Sequence, residues 1–309
     1  MSDTPETPVM GMSSPPGHRC GFAALIGRPN VGKSTLLNGL TGQKLSIVTP
    51  KPQTTRHRVL GLVNLPDAQI AFVDTPGLHR MEGRALNRAM NRAAAAAALD
   101  ADVVIFVVEA MRFGDEDALA LSRAAESGRP VVAVVNKVDT VYPRERLLPF
   151  MADLALKHDF VEIMPVSALN PADMLRLQQV IARQLPESVP LFPPEQLTDR
   201  SQQFRIAEII REKLTLELNE ELPYGIAVEV EAMGEDEGQL LVSAVIWVDR
   251  AGQKPIVIGA RGERLKRVGT SARHELNLLL GKRLHLNLWV KVREDWADNA
   301  LALRQLGME

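Results

Sequence analysis

Residues 27–34 read Gly-Arg-Pro-Asn-Val-Gly-Lys-Ser, a glycine and a Gly-Lys-Ser triplet separated by four residues. An apolar run (22–26) precedes them and a helix-like stretch (34–40) follows. In that setting a strand delivers the chain to a turn whose backbone N–H groups converge on one point. The next helix adds the positive end of its dipole. The chemistry is phosphate binding: Lys33 is long enough to reach the outer phosphates of a nucleotide, and the Ser34 hydroxyl can ligate Mg²⁺.

A phosphate loop does not choose a base, but Asn136-Lys137-Val138-Asp139 can. This segment follows an apolar run, which puts it at the carboxyl end of a strand, where open α/β sheets bind ligands. Asp139 offers two coplanar acceptors, and guanine presents two adjacent donors, N1–H and the 2-amino group. Adenine would leave that carboxylate unpaired, at a cost of several kcal/mol, or about a thousandfold in preference. Taken alone the segment also reads as a polar turn; its place downstream of the phosphate loop gives it weight. Between the two, Asp74-Thr75-Pro76-Gly77 ends another strand-like run. Asp74 suits a Mg²⁺-linked carboxylate, and Gly77 lets a backbone N–H approach a γ-phosphate. Ser167-Ala168 follows the last such run, where its backbone N–H groups could close over a base.

These groups need a scaffold that gathers strand ends. Apolar runs at 22–26, 59–63, 69–74, 103–109, 131–136 and 160–166 alternate with helix-like segments near 33–41, 84–99, 115–127, 143–157 and 171–185. Continuous Val/Ile/Phe runs indicate strands buried on both faces, and the alternation predicts a mostly parallel, doubly wound α/β sheet over residues 20–185. The alanine run at 93–98 reads as an ordinary close-packed helix. Residues 186–200 hold four prolines without periodicity and are expected to link two domains.

Residues 201–309 differ in character. A helix near 201–219 and strands near 225–233 and 239–249 lead to Gly259-Ala260-Arg261-Gly262. A helix to about 280 follows, then an alternating strand at 284–293. The order α-β-β-(short α)-α-β predicts a smaller α+β domain. A Gly-x-x-Gly match alone means little among 21 glycines, and Gly39–Gly42 matches it too. Its surroundings are more specific. From 259 to 293 there are nine Lys/Arg against two Glu, although the whole chain carries a net charge of only −2. This domain resembles a KH domain, in which such a loop clamps four backbone nucleotides of single-stranded RNA. Gly259, Ala260 and Gly262 would form the loop. Arg261, Arg264, Lys266 and Arg267 would contact phosphates, and Ile258 and Leu265 would floor an apolar groove. Trp289 faces away from the leucine side of its strand; the final helix, near 295–307, is expected to cover it.

The chain is 309 residues long, enough for two domains with their own cores. Its single cysteine, Cys20, excludes an intrachain disulfide and fits a reducing compartment. Residues 1–19 lack the basic start and apolar core of a secretion signal and are expected to be a disordered lead-in. A cytoplasmic location is the expectation.

Together the segments GRPNVGKSTLLN, KPQTTRHRVLG, VDTPGLH and NKVD, with the second domain, resemble the bacterial Era GTPases from Cys20 onward. The resemblance implies a P-loop GTPase domain followed by a KH domain, with GTP and GDP as ligands and Mg²⁺ as cofactor. It implies nucleotide contacts from Gly27, Asn30, Gly32, Lys33, Ser34, Thr35, Asp74, Asn136, Lys137, Asp139, Ser167 and Ala168. Mg²⁺ would be held by Ser34, Thr55 and Asp74, with Thr54 as the neighbouring alternative to Thr55. Lys33, Thr55 and Gly77 would serve the hydrolysis. Asn30 occupies the position that ligates K⁺ in related potassium-activated GTPases. The implied partners are the 3′ end of 16S rRNA and the 30S subunit, for a protein acting as a monomer, with peripheral membrane association also implied. Leu78 stands where Ras-like enzymes place a water-orienting glutamine, so slow hydrolysis is expected. His57 and His79 are weaker candidates for a base. The segment after Ser167-Ala168, Leu-Asn-Pro-Ala-Asp-Met, lacks the glycine usual in the family. A signalling GTPase with a protein-binding second domain and a metabolic nucleotide hydrolase are the competing classes.

Overall fold

The computed structural model describes residues 16–51, 54–77, 85–218 and 222–308. Leu78 and His79 lie outside the described residues, as does most of the N-terminal lead-in.

The first sheet has six strands: β1 (Arg19–Ile26), β2 (Val59–Asn64), β3 (Ala68–Asp74), β4 (Val103–Glu109), β5 (Val131–Asn136) and β6 (Glu162–Pro165). They lie in the order β2-β3-β1-β4-β5-β6, with β2 antiparallel to β3 and every other pair parallel. Helices α1 (Lys33–Thr41) and α5 (Pro171–Gln184) cover one face through Leu36, Leu37, Leu40, Met174, Leu177 and Ile181. On the other face lie α2 (Ala85–Asp100), α3 (Asp115–Glu126) and α4 (Leu147–Ala155). The alanine run belongs to α2, where Ala94 and Ala98 pack directly on the sheet. Burial on both faces accounts for the unbroken Val/Ile/Phe runs. Strand order reverses at β1, so the loop after β1 opens at the switch point where such sheets bind ligands.

The second sheet contains β7 (Ile226–Asp236), β8 (Gln239–Val248) and β9 (Arg283–Val292). β7 and β8 are antiparallel, and β8 and β9 parallel. The helices α6 (Gln202–Glu217), α7 (Gln253–Ile258) and α8 (Glu263–Leu280) precede β9 in the expected order, and α6 and α8 share the sheet's apolar core. On β9, the leucine-and-valine side faces that core, while the His285, Asn287 and Trp289 side is turned outward.

Residues 186–200 are strapped along the first domain. Gln69 is buried beside them; its side chain donates to the Phe192 carbonyl at 2.8 Å and accepts from the Leu191 and Phe192 N–H groups at 2.8 and 2.9 Å. Phe192 meets Phe22 edge-on, and Leu62 N–H donates to the Leu197 carbonyl at 2.9 Å. These contacts hold the segment to β1, β2 and β3 by its own backbone.

The expectation for Trp289 is corrected. It is 60 % exposed, whereas Trp296 is fully buried. The C-terminal segment turns at 296–298 and ends in the short α9 (Ala300–Gln305), which packs with α2 of the first domain and leaves β9 uncovered. Trp296 also donates through Nε1 to the Gly225 carbonyl at 3.2 Å. Local sequence does not show that Trp296 is the covered tryptophan and Trp289 the exposed one, because the covering surface comes from a helix far upstream in sequence. No helix among the described residues is long and apolar enough to cross a membrane.

Trp296→Ala removes the largest side chain of the cluster formed with Leu86, Met90 and Leu303. A loss of about 3–5 kcal/mol is expected for that packing unit. Amide hydrogen exchange checks this: protection should fall along 296–308 and α2, while β4 and β5 stay protected.

Candidate functional site

Three strand ends and one long loop build the first site. The phosphate loop leaves β1 and enters α1 through Gly32, whose φ of 100° is left-handed. A Cβ there would lie 2.4 Å from Asn136 Nδ2, and one at Gly27 would lie 2.4 Å from the Val107 carbonyl. Close approach therefore requires both glycines, and at Gly32 the backbone conformation requires it too. Lys33 opens α1 and is buried; its Nζ donates to the Gly27 and Arg28 carbonyls at 2.9 Å each. Burial lowers its pKa to about 8, with Arg28 adding to the drop and Asp74 and Asp117 opposing it.

Beside Lys33 is a set of oxygens. Ser34 Oγ donates to Asp74 Oδ2 at 2.8 Å and lies 2.7 Å from Thr55 Oγ1. Ser46 Oγ also donates to Asp74 Oδ2, at 2.9 Å, and Thr55 Oγ1 is 3.4 Å away. Asp74 has no exposed surface, and its Oδ1 has no hydrogen-bond partner. Burial raises its pKa against the pull of Lys33 and the three hydroxyls. Two hydroxyls and a buried, unpartnered carboxylate oxygen form a hard, all-oxygen donor set, which fits Mg²⁺. Thr54 is placed elsewhere: its hydroxyl meets Thr49 Oγ1 at 2.6 Å and the Lys51 carbonyl at 2.7 Å. Gly77 approaches the phosphate loop so closely that a Cβ would lie 2.8 Å from Pro29 N.

Gly32, Lys33, Ser34, Thr55 and Gly77 line a cleft of about 410 Å³ with Asn30, Thr35, residues 47–50 and Lys137. An adjoining hollow of about 470 Å³ is lined by Val138, Asp139, Ser167, Asn170 and Asp173, among others. The two meet at Lys137–Val138, so a nucleotide can lay phosphates in one and its base in the other. Lys137 Nζ pairs with Glu109 at 3.3 Å. Glu109 in turn accepts from Arg28 Nη2 at 2.7 Å, and Arg28 Nε donates to Asp117 at 3.1 Å. Burial pushes the Glu109 carboxyl up, but Arg28 and Lys137 together hold it below its ordinary range. A chain of four charges thus joins the phosphate loop to the base-side hollow.

Asn136 and the Ser167-Ala168 pair are held by contacts within the protein. Both ends of the Asn136 amide are engaged within the protein: Nδ2 donates to the Val31 carbonyl at 2.9 Å and Oδ1 accepts from Ala168 N–H at 3.1 Å. It fastens the phosphate loop to the base-side loop. Ser167 N–H donates to Asp173 Oδ2 at 2.9 Å. The two N–H groups expected to reach a base are therefore turned onto side chains. Asn170 caps α5, its Oδ1 accepting from Ala172 N–H at 3.1 Å, and Asp173 stands in the first turn of that helix. His57 is excluded from the cleft. It is buried against Phe204, its Nδ1 is 3.0 Å from the Gly307 carbonyl, and burial lowers its pKa to about 4. It is a neutral packing residue.

The second site is a groove of about 390 Å³ lined by Gly262, Leu265, Lys266, Gly269, Thr270, Arg273, Leu286 and Leu288. Gly259 (φ 77°) and Gly262 (φ 78°) bracket a tight turn in which Arg261 is also left-handed. A Cβ on Gly259 would lie 2.7 Å from Arg264 Cβ. Of the basic residues expected here, only Lys266 lines the groove. Arg264 turns back to the Ile256 carbonyl, and Arg267 pairs with Glu217 at 2.9 Å. Ile258, at the end of α7, is half-buried against the domain core beside Leu265 but does not line the groove. Gly269, Thr270 and Arg273 were missed, although they follow Lys266 at helical spacing and so share its face of α8.

A phosphate loop at a switch point, a hard-cation oxygen set, a carboxylate in the base-side hollow and a glycine-bracketed groove on a separate α+β sheet define a P-loop GTPase with a KH domain. Residues 22–137 match the family described as 50S ribosome-binding GTPase, and residues 221–297 match the KH domain. GTPase Era of Marinobacter nauticus is 50 % identical over 293 residues, covering 95 % of this chain and 96 % of that protein. GTPase Era of Coxiella burnetii is 50 % identical over 290 residues, covering 94 % and 98 %. Two solved structures each superpose with a TM-score of 0.90 at 40 % identity, covering 94 % of this chain and 99 % of theirs. One is a single-substitution variant of Aquifex aeolicus Era bound to GDP·AlF4⁻; the other is an Era in complex with MgGDPNP and nucleotides 1506–1542 of 16S ribosomal RNA. The chain belongs to the Era GTPase family.

A buried lysine with a pKa near 8 must gain a proton when anionic phosphates arrive beside it. Nucleotide binding at pH 8 is therefore expected to take up as much as about half a proton, fading toward about pH 6.5, where Lys33 is already charged. Calorimetric titration in buffers of different ionisation enthalpy measures it.

Proposed function

We propose that this GTPase acts on the 3′ end of small-subunit ribosomal RNA, gripping a single strand in the KH groove while GTP occupies the first domain. It would thereby take part in maturation and assembly of the 30S subunit. The observation that carries this reading is the groove itself: two left-handed glycines at the mouth of an apolar trough, edged by Lys266 and Arg273. Such a trough takes splayed bases, with a backbone clamp at one end. A relative's complex with a 16S rRNA fragment supports the choice of RNA. The family description that names the 50S subunit covers residues 22–137 only, outside the groove.

The division of labour follows the geometry. Residues 20–185 form the nucleotide domain and 201–309 the RNA domain, with 186–200 as the strap between them. Gly27, Gly32, Lys33 and Thr35 cradle the phosphates, and Lys137 and Asp139 take the base, with Ser167 and Ala168 as the wall beside it. Asn136 sets the distance between the two halves. Ser34, Thr55 and Asp74 would hold Mg²⁺, which when bound neutralises charge on the β- and γ-phosphates. Hydrolysis transfers the γ-phosphoryl group to water: a water oxygen bonds to phosphorus, the bond to the β-phosphate oxygen breaks, and GDP, inorganic phosphate and a proton leave. Lys33 stabilises the charge that develops, and the Gly77 N–H faces the same phosphate. On the RNA side Gly259, Ala260, Arg261 and Gly262 form the clamp and Leu265, Lys266 and Arg273 the trough. The protein acts as a monomer. Any membrane association would have to be peripheral.

The groove is tested in the full chain by replacing Gly259 and Gly262 with aspartate. Affinity for a single-stranded RNA of the 16S 3′-end sequence is expected to fall at least about tenfold, with GTP hydrolysis unchanged. In the unsubstituted chain that affinity should weaken linearly in log–log plots against salt. RNA binding indifferent to both changes removes this reading.

Asn30 has a left-handed backbone and donates to the Pro50 carbonyl at 3.0 Å, in the wall of the phosphate cleft. A neutral carbonyl beside an amide suits K⁺, so hydrolysis should run faster in K⁺ than in Na⁺ at equal ionic strength. Equal rates refute the monovalent site.

A further inference from the structure

Thr55 does not reach the Mg²⁺ oxygen set by its own local structure. The described residues from 44 to 58 form no regular element; the segment is held from outside, by Asn30, Asn38 and Asp74 of the first domain and also by the second domain. Lys44 pairs with Glu212 of α6 at 2.6 Å and with Glu275 of α8. Val48 N–H donates to Glu212 Oε1 at 2.9 Å, and Lys51 Nζ reaches the Leu218 carbonyl. The residues on either side of Thr55 are pinned as well. Arg56 Nη1 donates to the Ile226 carbonyl at 2.6 Å, and Arg211 of α6 donates through Nη2 to the Thr54 carbonyl.

Arg211 is the most constrained of these. It is 2 % exposed, and its fork is matched to Glu208, with Nε and Nη2 each 2.7 Å from a separate carboxylate oxygen. A planar guanidinium fixed this way has one direction left for the remaining Nη2 proton, and that direction is the Thr54 carbonyl. The next residue, Thr55, lies 2.7 Å from Ser34 Oγ.

We propose that Arg211, oriented by Glu208, is a positioning residue of the nucleotide site: it seats Thr55, so that the KH domain itself selects the triphosphate-bound state. This deepens the proposed function and rests on its assignment of Thr55. Thr55 serves the ion beside a γ-phosphate and has no such task with a diphosphate. Bracing it therefore favours GTP over GDP. Because α6 packs against α8, whose face lines the RNA groove, the same brace links the two ligands. Linkage is reciprocal: whatever RNA does to GTP affinity, GTP does to RNA affinity.

The test is the double variant Arg211→Met/Glu208→Gln in the full chain, which removes both charges together and leaves neither stranded. Dissociation constants are measured with Mg²⁺ for GDP and for a non-hydrolysable GTP analogue, with hydrogen exchange along 44–51 and 54–58. Losing a charge-assisted hydrogen bond predicts about a tenfold fall in analogue affinity. GDP affinity should hold, and exchange in the analogue complex should rise to the level of the GDP complex. Arg211→Lys keeps the charge without the fork and should lose a similar share of the analogue affinity. An unchanged ratio of the two affinities, or a parallel fall in both, overturns the proposal. If the unsubstituted chain binds neither nucleotide, the reading of the first site fails instead.

Discussion

A carboxylate with no exposed surface sits at the end of β3, and the nucleotide domain is arranged around it. Asp74 cannot remain charged there without compensation, because an isolated buried ion is too costly to keep. Its compensation arrives from three separate parts of the chain: Ser34 from α1, and Ser46 and Thr55 from the long loop before β2, with Lys33 as the nearest positive charge. One of its oxygens remains without a partner. Local compensation is thus incomplete, and a divalent cation is a group that would complete it. The same arrangement that solves a desolvation problem would create the proposed metal site.

A second constraint fixes distance. The phosphate end and the base end of a nucleotide are covalently joined, so the two hollows that take them must hold one spacing. Asn136 ties Val31 to Ala168 through both ends of one amide, and the charges Asp117, Arg28, Glu109 and Lys137 run alongside. Replacing an amide or guanidinium in such a network leaves buried partners unsatisfied, a larger loss than the net worth of the bond removed. Rigidity here comes from polar groups with no alternative partner.

The parts of this molecule that were legible in the sequence are those encoded within a few residues. Strand, glycine turn and helix are contiguous from 22 to 40. The Asp74 and Asn136 segments each cap a strand that announces itself by composition, and the period-2 pattern of β9 separates its two faces without ambiguity. What escaped depends on who meets whom across the fold. Nothing near Arg264 says that it will bend back onto Ile256, nor near Arg267 that Glu217 awaits it. The groove residues Gly269, Thr270 and Arg273 were within reach, since a helix that starts at 263 must put them beside Lys266. Trp289 stays exposed while Trp296 is buried, because α2, distant in sequence, supplies the cover. The inward turn of Ser167 and Ala168 depends on Asp173 and Asn136, partners that no local pattern names.

Two of the contacts between domains are of different physical kinds. Around Trp296 the contact is apolar: Leu86 and Met90 of α2 pack with Leu303 and Met308. Apolar burial is non-directional and indifferent to what occupies the nucleotide cleft. Along residues 44–58 the contact is made by Lys44, Arg56, Arg211, Glu208 and Glu212, groups whose mutual attraction is largely offset by the desolvation needed to bring them together. A contact near energetic balance is the kind that a small bias can make or break. Reversing a two-state equilibrium from 1:99 to 99:1 takes only about 5.5 kcal/mol of differential binding, within the reach of one phosphate and its metal ion. Under the proposed brace, the apolar contact would hold the domains together whatever the nucleotide, and the polar contact near Thr55 would be the one that senses it.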